Sequence, residues 1–103
     1  MDMHEKDEEL IKGFCDERGL KAVTLKSYTT AIGLYSRYHK TPFYKLLEEA
    51  EAEEREDVRW KYSKLRARLL AFRNHLLQKG HLATTVKNYV SRVMTVYEEG
   101  IDI

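Results

Sequence analysis

One cysteine, one proline and five glycines are all that this 103-residue chain holds of the residues that cross-link or break a backbone. A lone thiol, Cys15, cannot close an internal disulfide, which excludes a disulfide-built scaffold and fits a reducing cytoplasmic setting. Long apolar runs are missing as well: no stretch of about 18 apolar residues occurs, so no membrane partner is expected. The first ten residues are acidic and polar, unlike the apolar region of a secretory leader. Alternating β-branched runs bounded by turn residues do not occur, and the case for strands goes with them.

Catalytic signatures are equally scarce. The sequence has no Cys-x-x-Cys, His-Glu-x-x-His, glycine-rich phosphate loop or Gly-x-Ser-x-Gly. His4, His39, His75 and His81 never stand one helical turn from another histidine or from Cys15. No catalytic residue, no metal ligand set and no cofactor is therefore expected, and the chain alone reads as no enzyme. Cys15, next to Phe14, reads as a small half-buried hydrophobe. The cluster Glu48, Glu49, Glu51, Glu53 and Glu54 reads as a solvated acidic face.

What is present is a globular composition, 43% apolar, in one domain spanning residues 1–103. The formal net charge is only +1, but the charges are segregated. Residues 1–18 carry seven acids and three bases, and 41–57 carry seven acids and two bases. Between them, 19–40 hold four bases and no acid, and 58–97 hold nine bases and no acid. An ordinary solvated helix face mixes Glu with Lys to gain pairs one turn apart; here those partners are withheld.

Apolar periodicity predicts an all-α bundle of four to five helices. The first runs from about Lys6 to Arg18, with residues 1–8 frayed, Leu10, Ile11 and Phe14 inward, and Gly19 as its left-handed cap. A second runs from about Val23 to His39, with Leu25, Tyr28, Ile32 and Tyr35 as its seam. Thr41-Pro42 reads as cap and first residue of an acidic third helix ending near Asp57. The fourth runs from about Val58 to Lys79, with Tyr62, Leu65, Leu69, Phe72 and Leu76 inward and Trp60 as a packing anchor; Gly80 closes it. Whether it is separate from the third or one bent rod with it stays open. The fifth runs from about Thr84 to Glu99 and buries Val86, Tyr89, Val93, Val96 and Tyr97. Gly100 ends it, and residues 100–103 open a hinge.

An internal repeat lies at an offset of 61: Gly19-x4-Thr24-Leu25-Lys26-x-Tyr28 matches Gly80-x4-Thr85-Val86-Lys87-x-Tyr89. Either two helical hairpins form a pseudo-symmetric pair, or the identities reflect common helix-start chemistry.

The faces opposite the seams carry short polar side chains among long cations. The second helix shows Lys21 at its start, then Lys26, Ser27, Thr30 and Arg37. The fourth shows Lys61, Lys64, Arg68 and His75, with Arg66 and Arg73 on a flank. The fifth shows Thr84, Lys87, Asn88, Ser91, Arg92 and Thr95. Cations supply salt-sensitive phosphate affinity, and Ser, Thr and Asn reach phosphates or base edges.

The strings Arg18-Gly19-Leu20-Lys21-Ala22-Val23-Thr24-Leu25-Lys26-Ser27-Tyr28, Leu76-Leu77-Gln78-Lys79-Gly80 and Thr85-Val86-Lys87-Asn88-Tyr89-Val90-Ser91 resemble the amino-terminal core-binding domain of tyrosine recombinases, the phage-integrase family. The resemblance spans roughly Leu10 to Ile103. It implies a SAM-like helical domain forming one jaw of a clamp on double-stranded DNA, in proteins that recombine or integrate DNA as oligomers. By position it implies contacts from Thr24, Lys26 and Ser27, and from Thr84, Thr85, Lys87, Asn88 and Ser91. Where the family often has Ser-Pro or Ser-x, this chain has Lys21-Ala22 and Leu82-Ala83, leaving capping to Thr24 and to Thr84 or Thr85. The acidic third helix is expected to face away from DNA. The family's two arginines, lysine, histidine and nucleophilic tyrosine belong to a separate later domain, so a fragment is expected; its oligomeric state by itself stays open. The competing reading is a helical module that binds a partner protein through a charged face.

Overall fold

The computed structural model describes residues 3–100. It consists of five helices: α1 (Glu5–Arg18), α2 (Ala22–His39), α3 (Phe43–Arg55), α4 (Lys64–Gln78) and α5 (Ala83–Gly100), with a 3₁₀ turn at Trp60–Tyr62 before α4. No strand occurs among the described residues. Residues 1, 2 and 101–103, which include most of the expected hinge, lie outside them.

Local chemistry accounts for the helix ends. Glu5, Asp7 and Glu8 occupy the first turn of α1 and Arg18 its last, each sign matching the helix dipole. Gly19 then turns left-handed at φ 63°, and Leu20 N–H reaches back to the Cys15 carbonyl. Gly80 repeats the device after α4, at φ 92°, with His81 N–H donating to the Leu76 carbonyl. In each case the next helix begins three residues past the glycine, and α2 and α5 are both 18 residues long. The repeat is therefore a repeat of helix stop, link and helix length.

The third and fourth helices are separate. Asp57 takes a positive φ of 56°, which ends helical geometry. Helix α4 starts only at Lys64, where Ser63 Oγ accepts the Arg66 N–H at 3.1 Å and the Glu53 carboxylate accepts the Lys64 N–H at 2.9 Å. The expectation of a helix from Val58 is thus corrected. With it go two side chains that the longer helix would have turned inward: Trp60 is 51% exposed and Tyr62 is 70% exposed.

Three further expectations about helix starts give way. Residues 5–8 are helical rather than frayed, and Asp7 is fully buried. Its carboxylate accepts the N–H groups of Phe43 at 2.7 Å and Tyr44 at 2.8 Å, capping α3 from a distant helix. Pro42 sits in the cap position, and Thr41 instead donates its hydroxyl to the His39 carbonyl. Helix α2 has Lys21 in its cap position with no side-chain cap, and Thr24 lies inside its first turn.

One core gathers all five helices. Its centre is aromatic: Tyr35, Phe43, Phe72 and Tyr97, from α2, α3, α4 and α5, are each at most 1% exposed. Tyr35 meets Phe72 edge-on at 5.2 Å and Tyr97 edge-on at 5.8 Å, arrangements that suit the ring quadrupoles. The radius of gyration, 13.3 Å, is close to the roughly 13 Å of a compact 100-residue domain.

Candidate nucleic-acid interface

Helices α2 and α5 pack side by side and leave a groove of about 340 Å³ between their outer faces. Val23, Lys26, Ser27 and Thr30 line it from α2; Thr85, Asn88, Tyr89 and Arg92 line it from α5. Expected contact residues from two segments some 60 positions apart thus share one concave surface. Among the described residues no carboxylate lines the groove, and neither Lys26 nor Arg92 forms an ion pair.

The hydroxyls here are already oriented. Thr30 donates to the Lys26 carbonyl at 3.0 Å and Ser27 to the Val23 carbonyl at 3.3 Å. What they offer outward is lone pairs, which suit the amino group of an adenine or cytosine better than a phosphate. The Asn88 amide both donates and accepts, and Lys26 and Arg92 only donate.

Other expected residues fall elsewhere. Lys21 and Thr84 are exposed and Thr24 is half-buried at the helix starts, and none of the three lines the groove. Lys87 and Ser91 line a second, larger groove between α4 and α5. The reason is rotational. Moving the α2 positions 23, 26, 27 and 30 by 61 gives 84, 87, 88 and 91, yet α5 presents 85, 88, 89 and 92. A step of one residue turns a helix face by about 100°. Lys87 is the sequence counterpart of Lys26 and looks the other way.

Arg68 also leaves the set. Its guanidinium grips the Glu49 carboxylate with two bonds, Nε to Oε1 at 2.7 Å and Nη2 to Oε2 at 3.1 Å. The pair ties α4 to α3, and the hydrogen bond from Arg68 holds Glu49 below the usual carboxylate range. An arginine whose charge is met inside the molecule has little to give a phosphate. Lys64 stands exposed at the start of α4 and lines neither groove. Beside this pair, burial pushes His39 below its ordinary value, and its Nε2 bonds the Arg68 carbonyl at 3.1 Å.

Sequence reasoning missed two lining residues. Val23 is 78% exposed, an apolar side chain on a polar face, and that break in pattern was its only signal. Tyr89 reads as core by spacing but is half-buried and lines the groove. No α3 residue lines the groove. Among the described residues no three His, Cys, Asp or Glu side chains come together in a way that could hold a metal ion, and no helix is long and apolar enough to cross a membrane. Burial pushes the Cys15 thiol up, away from the reactive thiolate.

Set against known proteins, the chain has no match among family models, curated proteins or solved structures.

Proposed function

We propose that this chain binds double-stranded DNA through the α2–α5 groove, as the core-binding module of a tyrosine recombinase. One observation carries the reading. Two segments of matching sequence, far apart in the chain, put Lys26, Ser27, Thr30, Thr85, Asn88 and Arg92 around one groove that no carboxylate of the described residues lines. Cations without internal partners gain most from a ligand that brings the counter-charge, and duplex DNA brings it at regular spacing.

The binding is weak and modest in its salt dependence. Two groove cations that each neutralise one phosphate give a slope of about −2 in log affinity against log salt. In this reading strand cleavage falls to another domain of the parent recombinase, which assembles on DNA in a cytoplasmic setting. The acidic helix α3 takes no part, since Glu49 is committed to Arg68 and Glu53 to the start of α4.

The test is a titration of the isotope-labelled chain with a short duplex at low and moderate salt. Amide shifts centred on 23–30 and 85–92 that fade with salt are expected. Shifts confined to α3, or none at low salt, overturn the reading in favour of a protein partner.

A further inference from the structure

The second groove, between α4 and α5, has a different character. At about 740 Å³ it is twice as large, and it concentrates apolar surface. Three of the seven large hydrophobic side chains exposed among the described residues line it: Trp60 at 51%, Leu70 at 39% and Leu77 at 36%. Helix α4 therefore has two apolar stripes. Leu69, Phe72 and Leu76 form the buried one, and Leu70 and Leu77, two turns apart, form one that faces water.

Arginines interleave with the exposed stripe. Arg66, Leu70, Arg73 and Leu77 follow one another at spacings of four, three and four, the rhythm of a single helix face, and all four line the groove. From α5, Lys87 adds a third cation, and among the described residues Glu98 is the only carboxylate on the lining. None of these four charged residues forms an ion pair among the described residues.

We infer that the α4–α5 groove docks one amphipathic helix of a partner protein, with an apolar stripe for Leu70 and Leu77 and acidic residues along its flanks for Arg66, Arg73 and Lys87. A trough between two packed helices accepts the apolar ridge of a third. The three-to-one excess of cations among the described lining residues selects an acidic partner over a basic one. A second copy's own acidic helix does not fit, because the apolar face of α3, at Phe43, Leu46, Leu47 and Ala50, is spent in its own core. This surface is separate from the α2–α5 groove, and the inference stands or falls without the DNA reading.

The experiment uses a synthetic helical peptide of about 18 residues, the length of α5, with one leucine stripe flanked by glutamates. Two controls keep its composition or pattern: a scrambled order, and a version with lysine in place of glutamate. Trp60, the sole tryptophan, lines the groove and reports directly by fluorescence. A saturable blue shift of its emission with the glutamate peptide alone is expected, with amide shifts on α4 and α5. The variants Leu70→Gln and Leu77→Gln alter solvent-facing side chains, and circular dichroism checks that they stay folded. Each is expected to weaken peptide binding about tenfold, and Arg73→Glu to move preference toward the lysine peptide. Equal binding of the scrambled peptide, indifference to both leucine variants, or displacement of the peptide by duplex DNA each overturns the proposal. So does concentration-dependent self-association of the chain that covers Trp60 before any peptide is added.

Discussion

The carboxylate of Asp7 in α1 accepts the backbone N–H of Phe43 at 2.7 Å, so the first helix of the chain caps the third. Its other oxygen takes the N–H of Tyr44 at 2.8 Å, and the side chain is fully buried. Two donors that α3 cannot satisfy internally are met by one charge at the positive end of the helix. Asp7→Ala leaves both without a partner and is expected to cost about 2 kcal/mol or more, read as a lower urea midpoint. Thr41→Ala, at the residue that sequence alone nominates as the cap, is expected to cost well under about 1 kcal/mol. The reverse ranking would show that the cap is local after all.

The hydroxyls of Tyr35 and Tyr97 meet 2.9 Å apart inside the core. Phenylalanine at either position strands the other hydroxyl, so each single change is expected to cost about 1–2 kcal/mol and the double change less than the sum. Double-mutant unfolding curves measure this directly. Burial pushes Tyr35 up to about 12 and Tyr97 higher still. The unfolded chain therefore loses these phenol protons first as pH rises above 10, and folded stability falls in that range. Phenolate absorbance from both residues is expected to appear together with unfolding.

Acid acts through a different pair. Burial lowers the His39 value, so as pH falls through about 6.5 the unfolded chain takes up the proton before the folded one, and stability declines. A second decline follows as pH falls below about 4.5, because Glu49 is held ionised in the fold by Arg68 and gives up that advantage as it protonates. Urea midpoints followed downward from neutral pH are expected to show both. His39→Gln keeps a donor for the Arg68 carbonyl and is expected to flatten the first decline alone.

Stability and binding separate at the cations. Arg68→Ala removes the partner of a part-buried carboxylate and is expected to cost about 1–2 kcal/mol, with DNA affinity of the folded fraction unchanged. Lys26→Ala and Arg92→Ala are expected to do the opposite, lowering DNA affinity and reducing the salt slope by about 1 each, with little change in unfolding midpoint. Lys87→Ala, on the other side of α5, serves as the discriminating control. A loss of DNA affinity at Lys87 equal to that at Lys26 would place the duplex across both grooves.

Much of the helical plan was legible before any coordinates. Ile11, Ile32, Tyr35, Phe72, Val93 and Tyr97 recur at helical spacing, and all are buried. Gly19 and Gly80 mark helix ends because a left-handed residue is cheapest without a side chain. Legibility stopped where one segment's polar group is satisfied by another. Nothing near Phe43 points to Asp7, and nothing near Lys64 points to Glu53, so periodicity alone starts α4 too early and turns Trp60 and Tyr62 inward.

The candidate site divides along the same line. Periodicity separates one side of a helix from the other, and that is enough to name the short, polar and cationic residues on the outer faces of α2 and α5. Which of those faces meet depends on packing between helices that are distant in the chain. The one-residue rotation of α5 against α2, set by how their side chains interlock in the core, joins Asn88 and Arg92 to Lys26 and sends Lys87 away. The bidentate grip of Glu49 on Arg68 likewise exists only once α3 lies along α4, because a repeat in sequence sets neither the rotation of a helix nor the pairing of distant charges.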